Sequence, residues 1–157
     1  MELETLLPTR LALNDIKATS AAEVFEHVAA ALAAATIVSP ADVPAVAQAF
    51  VEREAKGSTA LGFGMAVPHV FFERLKAPHL VVVRLVSGVD LRAVDGRTVT
   101  LLFCLISPES ARAEYLQILG AVARVARDRD WRRYIERSAT AAQVYDAILK
   151  GDKALAR

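Results

Sequence analysis

The chain has 157 residues, 54% of them hydrophobic, and 19 basic against 18 acidic residues leave a formal net charge of +1. That length suits one domain with a sizeable core, and the apolar share excludes a disordered chain. The near balance of charge, with no basic run interleaved with aromatics, argues against nucleic-acid binding, and one cysteine cannot form an internal disulfide.

Residues 1–10 read as a short leader with one helical turn through Leu6 and Leu7, stopped by Pro8. The N-terminus lacks a basic segment followed by an apolar core, so no secretory signal is expected. Leu11 to Ile16 alternates weakly and predicts an edge strand. Ser20 to Thr36 predicts a helix: Ser20 and Glu23 form a capping-box pattern, and Val24, Phe25, Val28, Ala29 and Leu32 recur on one face. His27 lies off that stripe and reads as a surface residue. The longest uncharged apolar stretch, Val28 to Val38, is too short to span a bilayer, so a cytoplasmic protein without membrane insertion is expected. Ser39-Pro40 starts a second helix, with Val43, Val46, Ala47, Phe50 and Val51 inward and Arg53 in its last turn.

Arg53 opens the stretch that carries the chemistry, which runs to Val70. Gly57 is the residue type that most readily ends a helix in the left-handed conformation. Ser58 and Thr59 supply hydroxyls, Gly62 and Gly64 permit close backbone approach, and Pro68 stiffens the chain before His69. Imidazole titrates near neutral pH and serves as nucleophile, base or metal ligand. A guanidinium binds phosphate through paired hydrogen bonds, and hydroxyls and glycine N–H groups add donors. These residues fit a phosphate-handling histidine; from spacing alone they fit better a tight turn between helix and strand with a hydrogen-bonded structural histidine.

Leu61 to Val70 reads as a loop passing into a strand, and Phe71 to Pro78 as a polar connection. Leu80 to Val86 is a β-branched strand in which Arg84 must be exposed or paired, and His79 reads as a strand-start histidine. Ser87-Gly88 and Asp95-Gly96 are turn signals. Thr98 to Ile106 is almost continuously apolar, which predicts a central strand covered on both faces; Cys104 within it reads as a buried small hydrophobe. Glu109 to Arg127 predicts a long helix with Leu116, Leu119, Ala123 and Ala126 inward. A short helix follows over Asp130 to Arg137, with Trp131 and Ile135. Thr140 and Gln143 form a second capping box, Gly151 ends that last helix, and Asp152 to Arg157 is a frayed tail. Helices before and after a handful of buried strands predict a single three-layer α/β domain over 1–157. No cluster of His, Cys or Asp has metal-ligand spacing, so no metal or other cofactor is expected.

Arg53-Glu54, Gly57-Ser58-Thr59, Gly62, Gly64, Ala66 and Pro68-His69 together resemble the phosphorylation-site signature of the type-2 IIA domain of the bacterial phosphotransferase system, the fructose/mannitol and nitrogen-regulatory IIA family. The resemblance covers about residues 6–151. It implies an α/β/α sandwich with a central mixed sheet and His69 in a shallow groove. It also implies that His69 accepts a phosphoryl group from a histidine phosphocarrier protein while Arg53 steadies the phosphate. Ser58 or Thr59 would hydrogen-bond the phosphate or orient the ring. The chain would then be a phosphocarrier rather than a stand-alone turnover enzyme. Two departures stand out. Tyr115 occupies the position where the family usually has a second histidine, and Val70 the position of a glycine. With no second domain bearing a reactive cysteine, the resemblance is to the nitrogen-regulatory branch, whose partner is a regulatory target protein. The alternatives are a binding module that keeps only the fold, and a sugar-uptake IIA component working with a separate IIB subunit.

Overall fold

The computed structural model describes residues 2–137 and 140–155. Its elements are α1 (Leu3–Leu6), β1 (Leu11–Ile16), α2 (Ala21–Ala34), α3 (Val43–Lys56), β2 (Ala60–Gly62), β3 (Met65–Ala66), β4 (His69–Phe71), β5 (His79–Val89), β6 (Val99–Ser107), α4 (Arg112–Arg127), α5 (Arg129–Arg137) and α6 (Ala141–Leu155). One mixed sheet runs β1-β5-β6-β3-β2, with β4 also paired to β6. β1 is the expected edge strand, parallel to β5. The long apolar strand β6 is central: β5 pairs antiparallel on one side, while β3 and then β4 share the other, both parallel to it.

The alternation of side chains along β5 and β6 explains the layers. Val81, Val83, Cys104 and Ile106 face α2 and α3, where Phe25 stacks on Phe50 at 5.2 Å between ring centroids. Leu80, Val82, Phe103 and Leu105 face Ile118, Val122, Tyr145 and Ile148 of α4 and α6. The sheet therefore has helices on both faces. Burial pushes the Cys104 thiol far above its ordinary pKa, with the Glu54 charge adding to the shift, so the thiol is a core group. Among the described residues no helix is long and apolar enough to cross a membrane, and no group of three His, Cys, Asp or Glu is placed to hold a metal.

Several local expectations are corrected. The helix expected from Pro40 begins instead with a 3-10 turn, Pro40–Asp42, capped by the Ser39 hydroxyl. Pro44 has no N–H to bond the Pro40 carbonyl, so the α-helical ladder starts later. Ser20 caps α2, but the Glu23 carboxylate reaches back to Thr19, taking both its N–H and its hydroxyl, rather than to Ser20. Gly57 has φ 167°, an extended backbone and not a left-handed cap. The Ser87-Gly88 turn signal is overridden: β5 runs through it with a register shift between Arg84 and Val89. A Cβ on Gly88 would lie 2.2 Å from the Thr98 hydroxyl oxygen, so glycine is there for close strand approach. In α4 the buried face is Tyr115, Ile118, Ala121, Val122, Val125 and Ala126; of the expected stripe Ala126 is buried and Leu119 packs against the core, but Leu116 is 54% exposed. Gly151 does not end α6. The helix continues to Leu155, and a Cβ on Gly151 would crowd Val125 at 3.2 Å, so the residue lets α6 pack close to α4. Residues 156 and 157 of the expected tail lie outside the described residues.

Candidate functional site

β4 lies along β6 only at its far end, with His69 opposite Leu105. Between β3 and β4 the chain is held by Pro68, whose carbonyl accepts from Leu105 N–H at 2.8 Å. The proline thus costs the sheet no hydrogen bond while fixing where β4 begins. His69 opens that strand and is half-buried. Its Nδ1 lies 2.7 Å from the Val67 carbonyl oxygen. A carbonyl only accepts, so Nδ1 carries the proton and the neutral ring keeps its lone pair on Nε2.

An open groove of about 430 Å³ surrounds this histidine, lined by Ala49, Glu52, Arg53, Lys56, His69, Val70, Phe71 and Tyr115. Two helices on opposite faces of the sheet meet there. Arg53 comes from the last turn of α3, where Nη1 donates to the Gly57 carbonyl at 3.0 Å. Tyr115 comes from the first turns of α4, with its ring centroid 6.1 Å from that of His69 and 4.6 Å from that of Phe71. Tyr115 is 5% exposed. Burial raises its hydroxyl pKa, and the Arg53 and Arg112 charges oppose that shift only in part, so the phenol stays protonated and able to donate at neutral pH. The Arg112 guanidinium lies over the Phe71 ring at 4.8 Å.

The structure brings His69, Arg53 and Tyr115 together but turns the two hydroxyls elsewhere. Ser58 and Thr59 do not line the groove. Ser58 donates to the Leu91 carbonyl and accepts from Ala60 N–H. Thr59 is buried, and Glu54 accepts both its hydroxyl at 2.6 Å and its N–H at 2.9 Å. These bonds fold the 57–60 loop back onto the end of α3, where Arg92 also donates to the Glu54 carbonyl at 2.8 Å. Val70 is buried against the core and also borders the groove. His79 stands apart on β5, and burial alone lowers its pKa.

Two contributors escaped the sequence reading. Lys56 is a second groove cation, and its position one turn after Arg53 was the available signal. Glu54 is a buried carboxylate holding the hydroxyl loop, which the Arg-Glu and Ser-Thr spacing hinted at without showing direction.

A profile of the family described as "Phosphoenolpyruvate-dependent sugar phosphotransferase system, EIIA 2" matches residues 5–151. A nitrogen regulatory protein from Bradyrhizobium diazoefficiens is 30% identical over 148 residues, covering 94% of this chain and 95% of the relative. A fructose-specific EIIA component of a phosphotransferase system from Haloferax volcanii is 30% identical over 107 residues, covering 68% and 70%. The crystal structure of the nitrogen regulatory protein IIA-Ntr from Neisseria meningitidis superposes with a TM-score of 0.80 at 29% identity, covering 94% of this chain and 98% of that one.

Proposed function

The chain belongs to the EIIA 2 family of the phosphoenolpyruvate-dependent sugar phosphotransferase system, and from that premise we infer that it is a phosphocarrier whose His69 accepts a phosphoryl group from a phosphohistidine protein. The observation that carries this reading is the Nδ1 contact to the Val67 carbonyl, which leaves Nε2 as the nucleophilic nitrogen in a groove shared with Arg53 and Lys56. In the reaction the Nε2 lone pair forms the new N–P bond. The donor's N–P bond breaks, and its electron pair returns to the donor imidazole. Positive charge that develops on the His69 ring is stabilised by the Val67 carbonyl on Nδ1–H. Arg53, already oriented by Gly57, binds the nonbridging oxygens, and catalysis is mostly positioning and charge stabilisation. Ser58 and Thr59 act indirectly, by holding the loop on which the Arg53 guanidinium rests.

The likeness to nitrogen regulatory proteins over nearly the whole chain supports a regulatory output. A phosphate on His69 adds negative charge to an open groove, changing which protein surface docks there. The likeness to a fructose-specific component supports the second reading, delivery of the phosphate to a IIB subunit.

The test is intact-mass spectrometry after incubation with phosphoenolpyruvate, Enzyme I and a histidine phosphocarrier. One acid-labile phosphate on the native chain, absent from His69→Ala, is the expected result. No adduct with several carriers would leave a binding module without the chemistry. Transfer of the label onward to a purified IIB domain would favour sugar uptake over regulation.

A further inference from the structure

A second cleft, sharing no lining residue with the His69 groove, lies where the β2–β3 hairpin meets α5. It is small, about 70 Å³, and Arg84, Arg97 and Arg132 line it together with Phe63 and the single carboxylate Glu136. Met65 pairs with Leu101 and His69 with Leu105. Four strand residues, about 13 Å, therefore separate the two sites along β6.

Among the described residues none of the three arginines makes an ion pair. Arg84 donates one hydrogen bond to the Ile135 carbonyl at 3.4 Å, and Arg132 uses Nη1 on the Ala126 and Arg127 carbonyls. Each guanidinium has five N–H donors, so most of this capacity is unspent. The nearby Asp95 carboxylate accepts from the backbone N–H groups of Phe63 and Arg97 and interacts with the Arg97 charge without forming an ion pair. Converging guanidiniums in a partly enclosed space repel one another until an anion joins them, and their planar forks match phosphate oxygens.

Phe63 adds a second, independent observation. Its φ is 57°, left-handed backbone that a bulky side chain rarely adopts, and glycines on both sides share that hand. The ring is not there to be buried, because the residue is 50% exposed. One face lies under the Arg132 guanidinium, 3.9 Å from the ring centroid. The hairpin thus spends backbone strain to hold an aromatic ring at the mouth of an arginine cleft. A flat ring beside a phosphate-sized cation pocket suits a nucleotide, whose base stacks on aromatic side chains.

We propose that this cleft is a nucleoside-phosphate site, with Arg84, Arg97 and Arg132 holding a phosphate and Phe63 stacking the base. Binding here requires no chemistry at His69. Trp131, the only tryptophan, neighbours Arg132 on α5 and serves as the reporter. The full chain is titrated with ATP, ADP and GTP, and in parallel with inorganic triphosphate and adenosine, by Trp131 fluorescence and calorimetry. The nucleotides are expected to bind more tightly than triphosphate, and adenosine not to bind. Arg97→Gln, at an exposed position, is expected to weaken every phosphate ligand about tenfold. Phe63→Asn is expected to weaken the nucleotides while leaving triphosphate unchanged. Circular dichroism confirms that both variants fold. No nucleotide binding tighter than about 1 mM would overturn the proposal. Equal binding of triphosphate and nucleotides, insensitive to Phe63→Asn, would overturn it too, leaving a simple oxyanion cleft.

Discussion

Tyr115 borders the His69 groove, and at the scale of a single residue its consequence is electrostatic. The buried phenol stays protonated, so it can donate a hydrogen bond toward the His69 site but brings no positive charge. On the proposed phosphocarrier function, Tyr115→His is therefore expected to lengthen the life of the phosphorylated form roughly tenfold, the scale of one charge-assisted hydrogen bond. The time course of phosphate loss by intact mass measures this; an unchanged half-life would mean that position 115 does not reach the phosphate. Glu54 acts one step further from the chemistry. It is 6% exposed and satisfies both the N–H and the hydroxyl of Thr59. Glu54→Ala leaves two buried donors without a partner and is expected to cost about 2–3 kcal/mol in urea unfolding. On the proposed function it should also slow phosphotransfer, because the loop it holds carries the Gly57 carbonyl that orients Arg53.

Between elements, spacing decides more than composition. β5 passes through Ser87-Gly88 because a Gly88 without Cβ lets the strand lie against Thr98 of the approach to β6. Gly88→Ala would place its methyl 2.6 Å from the Thr98 Cβ. That overpacking is expected to destabilise the fold by about 1–3 kcal/mol. A Gly88→Ala, Thr98→Gly double variant should recover part of the loss, and a chemical-denaturation series on the three chains measures both effects. Gly151 does the same for helices, bringing α6 against Val125 of α4. Both glycines look like turn or stop signals in a linear reading, since the sequence carries no sign of which neighbour will press on the backbone.

For the whole molecule, pH acts through the group whose folded environment differs most simply from water. His79 is lowered from the ordinary value of 6.5 by burial alone. Above about pH 6.5 neither the folded nor the unfolded chain protonates it, and its contribution to stability is fully present. As pH falls below that value the unfolded chain takes up a proton that the folded chain resists, and stability is lost until the lowered folded value is passed. Glu23 and Asp95, both lowered chiefly by backbone hydrogen bonds, act in the same direction at more acidic pH. Urea midpoints are expected to fall between about pH 7 and 5, and His79→Gln to flatten that slope. An unchanged slope would assign it to another group.

The sequence by itself determined the layers and the segment that carries the candidate site. Two nearly continuous apolar strands can exist only between two covered faces, and capped amphipathic helices on either side supply the covers. The ordered run from Arg53 to His69 is local, so its meaning survives without knowing the fold. Tertiary structure decided what the reading along the chain could not. It divided the segment into groove-facing residues, His69 and Arg53, and loop-holding residues, Ser58 and Thr59, because hydrogen-bond direction depends on partners such as Leu91, 33 residues away. It centred the inward face of α4 on Tyr115, Ile118 and Val122 and left Leu116 outside, since burial follows the packing of a helix against a particular sheet face and not the average hydrophobicity of its stripe. It also gathered Arg84 of β5, Arg97 before β6 and Arg132 of α5 around Phe63, a charge cluster that no spacing rule joins because it takes the pairing of both β5 and β3 with β6, beside α5, to bring those segments together.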